Sequence, residues 1–347
     1  MVRGEDVERV EEQDHREERE RDADELEDAF HGAKGTSGRR TRGVGEDGDT
    51  ETGTEPETET EPETETETVC GREGGGRVYL RAVKTSWTGA LVVVTGAGGG
   101  IGEALCRRLA AEGARVVLAD VRADAIEALA RELPNARARV LDVADPEAWR
   151  ALADELAREG GVDVLVNNAG ITVLGAFEEQ SLEDLDRVLA VNLRGVLYGC
   201  HALVPQLVAR RGHLVNVSSL AGRVAFPYQS TYCATKFAVR GLTASLRMEL
   251  APRGVGVTAV LPGAIATRLL ERARTYDTRA SNKMVELMLA HGTPPAHVAT
   301  RILRAVERDE AEVVIGWDAH VTTTLAALAP RALRLALTTG FRARDRA

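Results

Sequence analysis

The chain has 347 residues with 54 Asp+Glu against 44 Lys+Arg, and the acidity is uneven: residues 1–86 hold 26 of the acids and 13 of the bases, net −13, leaving +3 for residues 87–347. A nearly neutral folded part argues against a basic nucleic-acid surface or an acidic shell adapted to high salt. Four scattered cysteines (Cys70, Cys106, Cys200, Cys233), no C-x-x-C pair, a polar amino terminus and no run near the ~20 apolar residues of a membrane span point to a cytoplasmic protein with no metal site or disulfide framework.

Residues 1–68 are rich in Glu, Asp, Arg and Thr, and 52–68 are a low-complexity Thr-Glu run. Apolar residues are too sparse there to offset chain ordering, so a disordered acidic tail is expected, followed by a flexible linker, "GREGGGR", to Arg77. Residues 78–347 are then expected to form one domain. From Leu91 onward, Val-rich runs alternate with helical patterns. The runs are "LVVVTG", "RVVLAD", "ARVLDV", "VDVLVNNAG", "GHLVNVSS", "VGVTAVLPG" and "AEVVIG". They are too short for helices and apolar on both faces, as strands inside a parallel sheet should be. Asp145 before Pro146, the Ser181–Asp184 capping box and Thr293 before Pro294 mark helix starts. Seven strands interleaved with helices predict a doubly wound α/β sheet of the Rossmann type, with helices on both faces.

"VVVTGAGGGIG" puts five glycines into seven positions between the first strand and the first helix. In such sheets a ligand lies at the carboxyl ends of the strands, and the amides of the first helical turn attract anions. Gly96 permits the tight turn, Gly100 admits a pyrophosphate against bare backbone, and Gly102 lets the helix pack on the sheet. Asp120 closes the second strand, placed to hydrogen-bond ribose hydroxyls and repel a 2′-phosphate, which favours NAD over NADP; Arg122 offers such a phosphate a partner. Tyr232 and Lys236 form Y-x-x-x-K, one helical turn apart, so a cation stands near a phenol whose ordinary pKa is about 10. That field favours phenolate and lets Tyr232 exchange a proton with an alcohol or carbonyl oxygen. Lys236 can also hold the nicotinamide ribose. It is one of only four lysines, beside 40 arginines.

With these residues together, the chain from about Trp87 to Gly316 resembles the short-chain dehydrogenase/reductase family in its compact single-domain branch. The resemblance rests on Thr95–Gly102, Asp142-Val143, Asn167-Asn-Ala-Gly170, Asn192 in "VNLRG", Ser219 in "NVSS", Tyr232 with Lys236, and Pro262-Gly263. It implies a catalytic set of Asn192, Ser219, Tyr232 and Lys236. Ser219 would hold the substrate oxygen; Asn192 would kink its helix and hold a water in a proton relay. It implies a dinucleotide site of Gly96, Gly100, Ile101, Gly102, Asp120, Asp142, Val143, Asn168, Ala169, Gly170, Tyr232, Lys236, Pro262, Gly263, Ile265 and Thr267. Asp142 would accept from the adenine amino group, and residues 262–267 would contact the carboxamide. Gly99 stands where the family usually has Ser or a basic residue, which again leans towards NAD. The activity implied is interconversion of a secondary alcohol and a ketone by a homodimer or homotetramer. The alternatives are a dehydratase or epimerase using the same tyrosine, or a non-catalytic dinucleotide-sensing scaffold.

Residues 264–292 match the family's substrate loop, with Arg268, Leu269, Tyr276, Met284 and Met288 as candidate pocket residues and Phe226 and Tyr228 opposite. Cys233 is expected to be a small helix residue. His201, His213 and His320 lack companions at ligand spacing and are assigned no function. In the extension 317–347, Leu325, Leu328, Ala332 and Leu335 form a stripe expected to pack against protein rather than lie on a membrane.

Overall fold

A computed structural model of the chain describes residues 86–267, 269, 273–276 and 291–342. The acidic tail and linker, Arg268, Met284, Met288 and residues 343–347 lie outside the described residues.

Seven strands form one sheet: β1 (Leu91–Thr95), β2 (Arg115–Asp120), β3 (Ala136–Val140), β4 (Val164–Asn167), β6 (His213–Val217), β7 (Gly256–Pro262) and β9 (Glu312–Ile315). Their spatial order is β3-β2-β1-β4-β6-β7-β9, with every pairing parallel. The order reverses between β1 and β4, which opens a crevice at their carboxyl ends. A two-residue parallel pair that the sequence did not announce, β5 (Val173–Leu174) with β8 (Arg274–Thr275), stands apart from it. Among the described residues the α-helices are α1 (Gly100–Ala111), α2 (Ala123–Glu132), α3 (Pro146–Arg158), α4 (Leu182–Leu189), α5 (Gly195–Ala209), α6 (Ser230–Leu250), α7 (Pro295–Glu307), α8 (Trp317–Leu328) and α9 (Pro330–Arg342).

Alternation along β1 shows why the strands read as apolar throughout. Val92 and Val94 join one core with Leu105 and Leu109 of α1 and Ile302 and Val306 of α7. Leu91 and Val93 join the other, with Trp149 and Leu156 of α3 and Leu203 and Leu207 of α5. Successive side chains point to opposite faces, and both faces are covered. The edge strand β3 departs from that pattern. It starts and ends before the apolar run "ARVLDV" does; its first four residues are half-buried and Val140 is exposed, and Arg137 and Arg139 reach out to Glu159, the C-cap of α3, and to Glu155 within it.

Two of the three expected helix starts stand as read: Asp145 caps α3, accepting from Glu147 N, and Ser181 caps α4, accepting from Asp184 N. The third shifts by one residue, because Pro294 is the N-cap and Pro295 the first residue of α7. Between α4 and α5 a π-helical turn, Ala190–Arg194, keeps residues 182–209 in one helical run of 28 residues with a window of mean hydropathy 1.3. That corrects the expectation that no segment has the length and apolarity of a span. Its apolar content fits a core helix, since Val196, Cys200, Leu203 and Leu207 are buried against the sheet.

The extension also differs from its expected packing. Leu325, Leu328 and Leu335 are 45%, 80% and 65% exposed, and Ala332 is exposed too. The inward contacts come instead from Ala319, Ala326, Leu333 and Leu337, which meet Leu220, Val224 and Phe226. The chain breaks between α8 and α9 at Ala329-Pro330, and the helical phase on which the stripe depends is lost there.

Candidate active site

The turn after β1 is made from backbone. Gly96 has φ +66, and a Cβ there would meet Ala169 Cα at 2.9 Å; a Cβ on Gly102 would lie 2.2 Å from the Gly96 carbonyl oxygen. α1 therefore packs so close to the turn that only hydrogen fits. No side chain caps α1, so its first N–H groups stay open to the crevice. Thr95 Oγ1 accepts from the N–H groups of Asn168 and Ala169, each at 3.0 Å, and Asn168 Nδ2 donates to Thr95 O at 2.9 Å. These bonds hold the ends of β1 and β4 together under the cleft.

The cleft has a volume of about 760 Å³. Its walls include Gly96, Gly100, Ile101, Asp120, Asn168, Ala169, Gly170, Ser219, Tyr232, Lys236, Pro262, Gly263, Ile265 and Thr267, so most of the expected site residues meet in one place. Gly102 acts from beneath, as its packing role requires. Asn192 lies behind the wall, fully buried. Asp142 and Val143 do not line the cleft: Asp142 is exposed and turned onto Ala144 N at 2.9 Å, and Val143 is buried against Gly195. Phe226 and Leu269 line the cleft as expected; Tyr228 and Tyr276 do not.

Asp120 is 7% exposed and fully engaged. It accepts from Gly98 N at 2.9 Å, from Arg122 N at 3.0 Å and from Arg122 Nε at 3.2 Å. Arg122 thus neutralises the carboxylate rather than standing free beside it.

At the other end, the α6 side chains are tied in from several directions. Ser218 Oγ donates to Lys236 O at 2.8 Å, Lys236 Nζ donates to Val217 O at 3.0 Å, and Thr235 Oγ1 donates to Tyr232 O at 2.7 Å. Asn192 Oδ1 accepts from Ile171 N at 2.8 Å, while Nδ2 donates to Ile171 O at 2.8 Å and to Thr235 Oγ1 at 3.3 Å. Ser219 hydrogen-bonds the Tyr232 phenol, and its Oγ accepts from Ala221 N at 3.1 Å. Lys236 Nζ lies 5.6 Å from the centroid of the Tyr232 ring.

Burial works against the expected phenolate. Burial pushes the Tyr232 phenol up to about 12, only partly opposed by the Ser219 hydrogen bond. Burial lowers Lys236 to about 8. Loss of hydration penalises both charged forms and outweighs a cation that is itself destabilised. Cys233 is buried as expected, its thiol raised by burial and its Sγ accepting from Phe226 N at 3.4 Å. His213 is a core residue bonded to Thr258 Oγ1 at 2.8 Å.

Several cleft residues carried no sequence signal. Trp317, Asp318 and Thr322 bring α8 onto the rim. Asp318 Oδ2 accepts from Ala264 N at 2.7 Å and fills the space a Cβ on Gly263 would take. Thr172, 3% exposed, lines the cleft with a hydroxyl that has no hydrogen-bond partner among the described residues. Tyr276 instead clamps the loop: its hydroxyl donates to Asp184 Oδ2 at 2.8 Å and accepts from Ser181 N at 3.0 Å, and Arg274 bonds Asp184 Oδ1 at 3.2 Å. Burial alone would raise the Asp184 pKa, but Tyr276 and Arg274 hold it below the ordinary carboxylate value.

Residues 90–277 match the family model for short chain dehydrogenases. The chain belongs to the short-chain dehydrogenase/reductase family. It is 38% identical over 254 residues to the oxidoreductase SadH of Mycobacterium tuberculosis, covering 70% of this chain and 91% of that one. It is 41% identical over 186 residues to a 3-alpha-(or 20-beta)-hydroxysteroid dehydrogenase of Mycobacterium bovis, covering 53% and 72%. A short-chain dehydrogenase/reductase from Burkholderia phymatum, solved in complex with NAD, superposes with TM-score 0.63 at 29% identity, covering 72% of this chain and 93% of that one. This chain is thus a member of an oxidoreductase family with a Rossmann fold and a dinucleotide cleft.

Proposed function

We propose that the protein interconverts a secondary alcohol and a ketone with NAD(H), using Tyr232 as acid and base. The observation that carries this reading is that Ser219, Tyr232 and Lys236 share a cleft with the glycine turn and the open end of α1. The residues fit a nicotinamide dinucleotide. Gly100 and Thr267 face each other so closely that a Cβ on the glycine would lie 3.2 Å from the Thr267 methyl, leaving bare backbone for a phosphate to approach. The Thr172 hydroxyl supplies an unused donor and acceptor. When bound, such a cofactor supplies or accepts the hydride.

Within the chain, Gly96, Gly100 and Ile101 would receive the pyrophosphate while Gly102 packs beneath them; Asp120 would receive the adenosine ribose, and Pro262 to Thr267 the carboxamide. In the reducing direction Tyr232 donates its proton to the carbonyl oxygen while Ser219 hydrogen-bonds that oxygen; in the oxidising direction Tyr232 accepts the proton. A phenol raised to about 12 is held protonated at neutral pH, which suits the reducing direction. Asn192 acts as a positioning residue: it fixes Ile171 next to Thr172, and through Thr235 it steadies the Tyr232 backbone. Phe226, Leu269 and Trp317 give the cleft apolar walls, which favour an apolar substrate. NAD is favoured because Asp120 is placed to accept from ribose hydroxyls and engages Arg122, which a 2′-phosphate would otherwise need. The reading assigns this chemistry to residues 78–347 as one domain.

The test is an absorbance screen of NADH formation and consumption with secondary alcohols, diols, sugars and hydroxysteroids and their ketones. Turnover with one alcohol–ketone pair in both directions supports the reading. NADH binding without turnover on any of them would favour a sensing scaffold.

A further inference from the structure

The outer face of α8 is apolar and open to solvent. Trp317, Val321, Leu325 and Leu328 fall on one side of the helix at spacings of four, four and three, and are 73%, 49%, 45% and 80% exposed. A helix buries such a stripe in its own core or against a partner. Here the core contact is already made by the opposite face, through Ala319 and Ala326. The one acid of α8, Asp318, is turned inward onto Ala264 N.

Two exposed arginines follow the stripe in the next helix. Arg331 and Arg334 of α9 are exposed, and among the described residues neither pairs with an acid; Leu335, 65% exposed, extends the apolar surface beside them. Residues 317–347 contain five arginines against two aspartates. An interfacial tryptophan, an aliphatic stripe and flanking arginines are what an amphipathic helix presents to a lipid surface.

We infer that α8 and α9 form a docking face for an anionic lipid surface, with Trp317, Val321, Leu325 and Leu328 entering the interface and Arg331 and Arg334 meeting the headgroups. Exposed arginines beside an apolar stripe select this occupant, because an anionic lipid surface supplies both an apolar phase and the opposite charge. Docking would bring the cleft, which Trp317 also lines, next to the bilayer. The inference stands apart from the reaction proposed above.

The full chain is tested by co-sedimentation with phosphatidylcholine vesicles, with and without about a third phosphatidylglycerol, while tryptophan emission is followed. Trp87 and Trp149 are buried, so a shift reports Trp317. Expected are pelleting and a blue shift with the anionic vesicles, both fading at high salt. Leu328→Glu and the double variant Arg331→Glu/Arg334→Glu should each lower partitioning by about tenfold or more, with unchanged thermal unfolding and NADH binding. Three outcomes would overturn the proposal. The wild-type chain could fail to bind at low salt, or both variants could pellet like wild type. The chain could also ignore vesicles and sediment as an oligomer that Leu328→Glu dissociates, which would give the face to a second copy.

Discussion

The two sides of the cleft are built from different materials. On the Gly96–Asp120 side the surface is backbone: a positive-φ glycine, an uncapped helix end, and a helix–turn approach that leaves no room for a Cβ. On the Thr172–Thr322 side it is side chains from distant segments, held by Asp184 on Tyr276 and Arg274 and by Asp318 on Ala264. Backbone geometry leaves little to vary, so the first side suits a ligand that stays the same. Side-chain anchors can be exchanged without disturbing the sheet, so the second suits a substrate that differs between relatives.

The contrast can be broken first at Gly102. A Val there would force its side chain onto the Gly96 carbonyl, and overpacking of this kind costs about 3 kcal/mol or more. Urea unfolding should show the loss, and NADH binding should vanish with it. An intact dinucleotide site in Gly102→Val would show that the backbone is less constrained than its geometry implies.

Lys236 offers a pH test of the buried centre. With a folded pKa of about 8 against 10.5 ordinarily, the folded chain holds fewer protons than the unfolded one between those values. Stability therefore rises with pH across that window, and the cost of burying the charge is fully present below about 8. Lys236→Met should remove that slope, which amounts to about 3 kcal/mol between pH 7 and 10.5. The Tyr232 phenol, at about 12, acts in the opposite sense, its contribution being lost as pH rises from about 10 to 12. Denaturation curves of wild type and variant at several pH values would show both trends.

On the side-chain side, Asp184→Asn leaves the Tyr276 hydroxyl and Arg274 without their carboxylate. A loss of about 1–3 kcal/mol is expected, with a raised KM for substrate and an unchanged affinity for NADH. Since the folded pKa of Asp184 is lowered, its contribution is present above the unfolded carboxylate value and fades as pH falls. The variant should be insensitive to that change. An equal loss of NADH affinity would mean that the clamp supports the whole cleft.

The smallest effect belongs to the Asp120–Arg122 pair. Asp120→Ala should free Arg122 for a 2′-phosphate and narrow the NAD preference by about tenfold, whereas Arg122→Ala should widen it. Initial rates with both cofactors measure this directly.

What could be read from the sequence follows the same division. The glycine turn, the Val-rich strands and the Tyr232–Lys236 pair are local patterns whose spacing alone brings them together. The helix pairing Asp145–Pro146 was equally local. Tyr276 is a clamp rather than a pocket wall because its partner Asp184 is 92 residues away, and no local pattern records that bond. Asp318 reaches Ala264 across 54 residues. The Leu325–Leu335 stripe was read as packed because periodicity gives a face but not what covers it, and the break at Pro330 resets the phase. The balance at Tyr232 is hidden for a related reason: helical spacing reports the cation, but only the fold reports how much water both groups lose.

The most direct measurement compares wild type and Tyr232→Phe for turnover, with the substrate found in the screen, and for NADH affinity by fluorescence titration. The account predicts a loss of turnover of about 10²–10⁴-fold with an almost unchanged Kd, as expected when a general acid is removed without disturbing the cofactor site. Turnover that survives the substitution would contradict it.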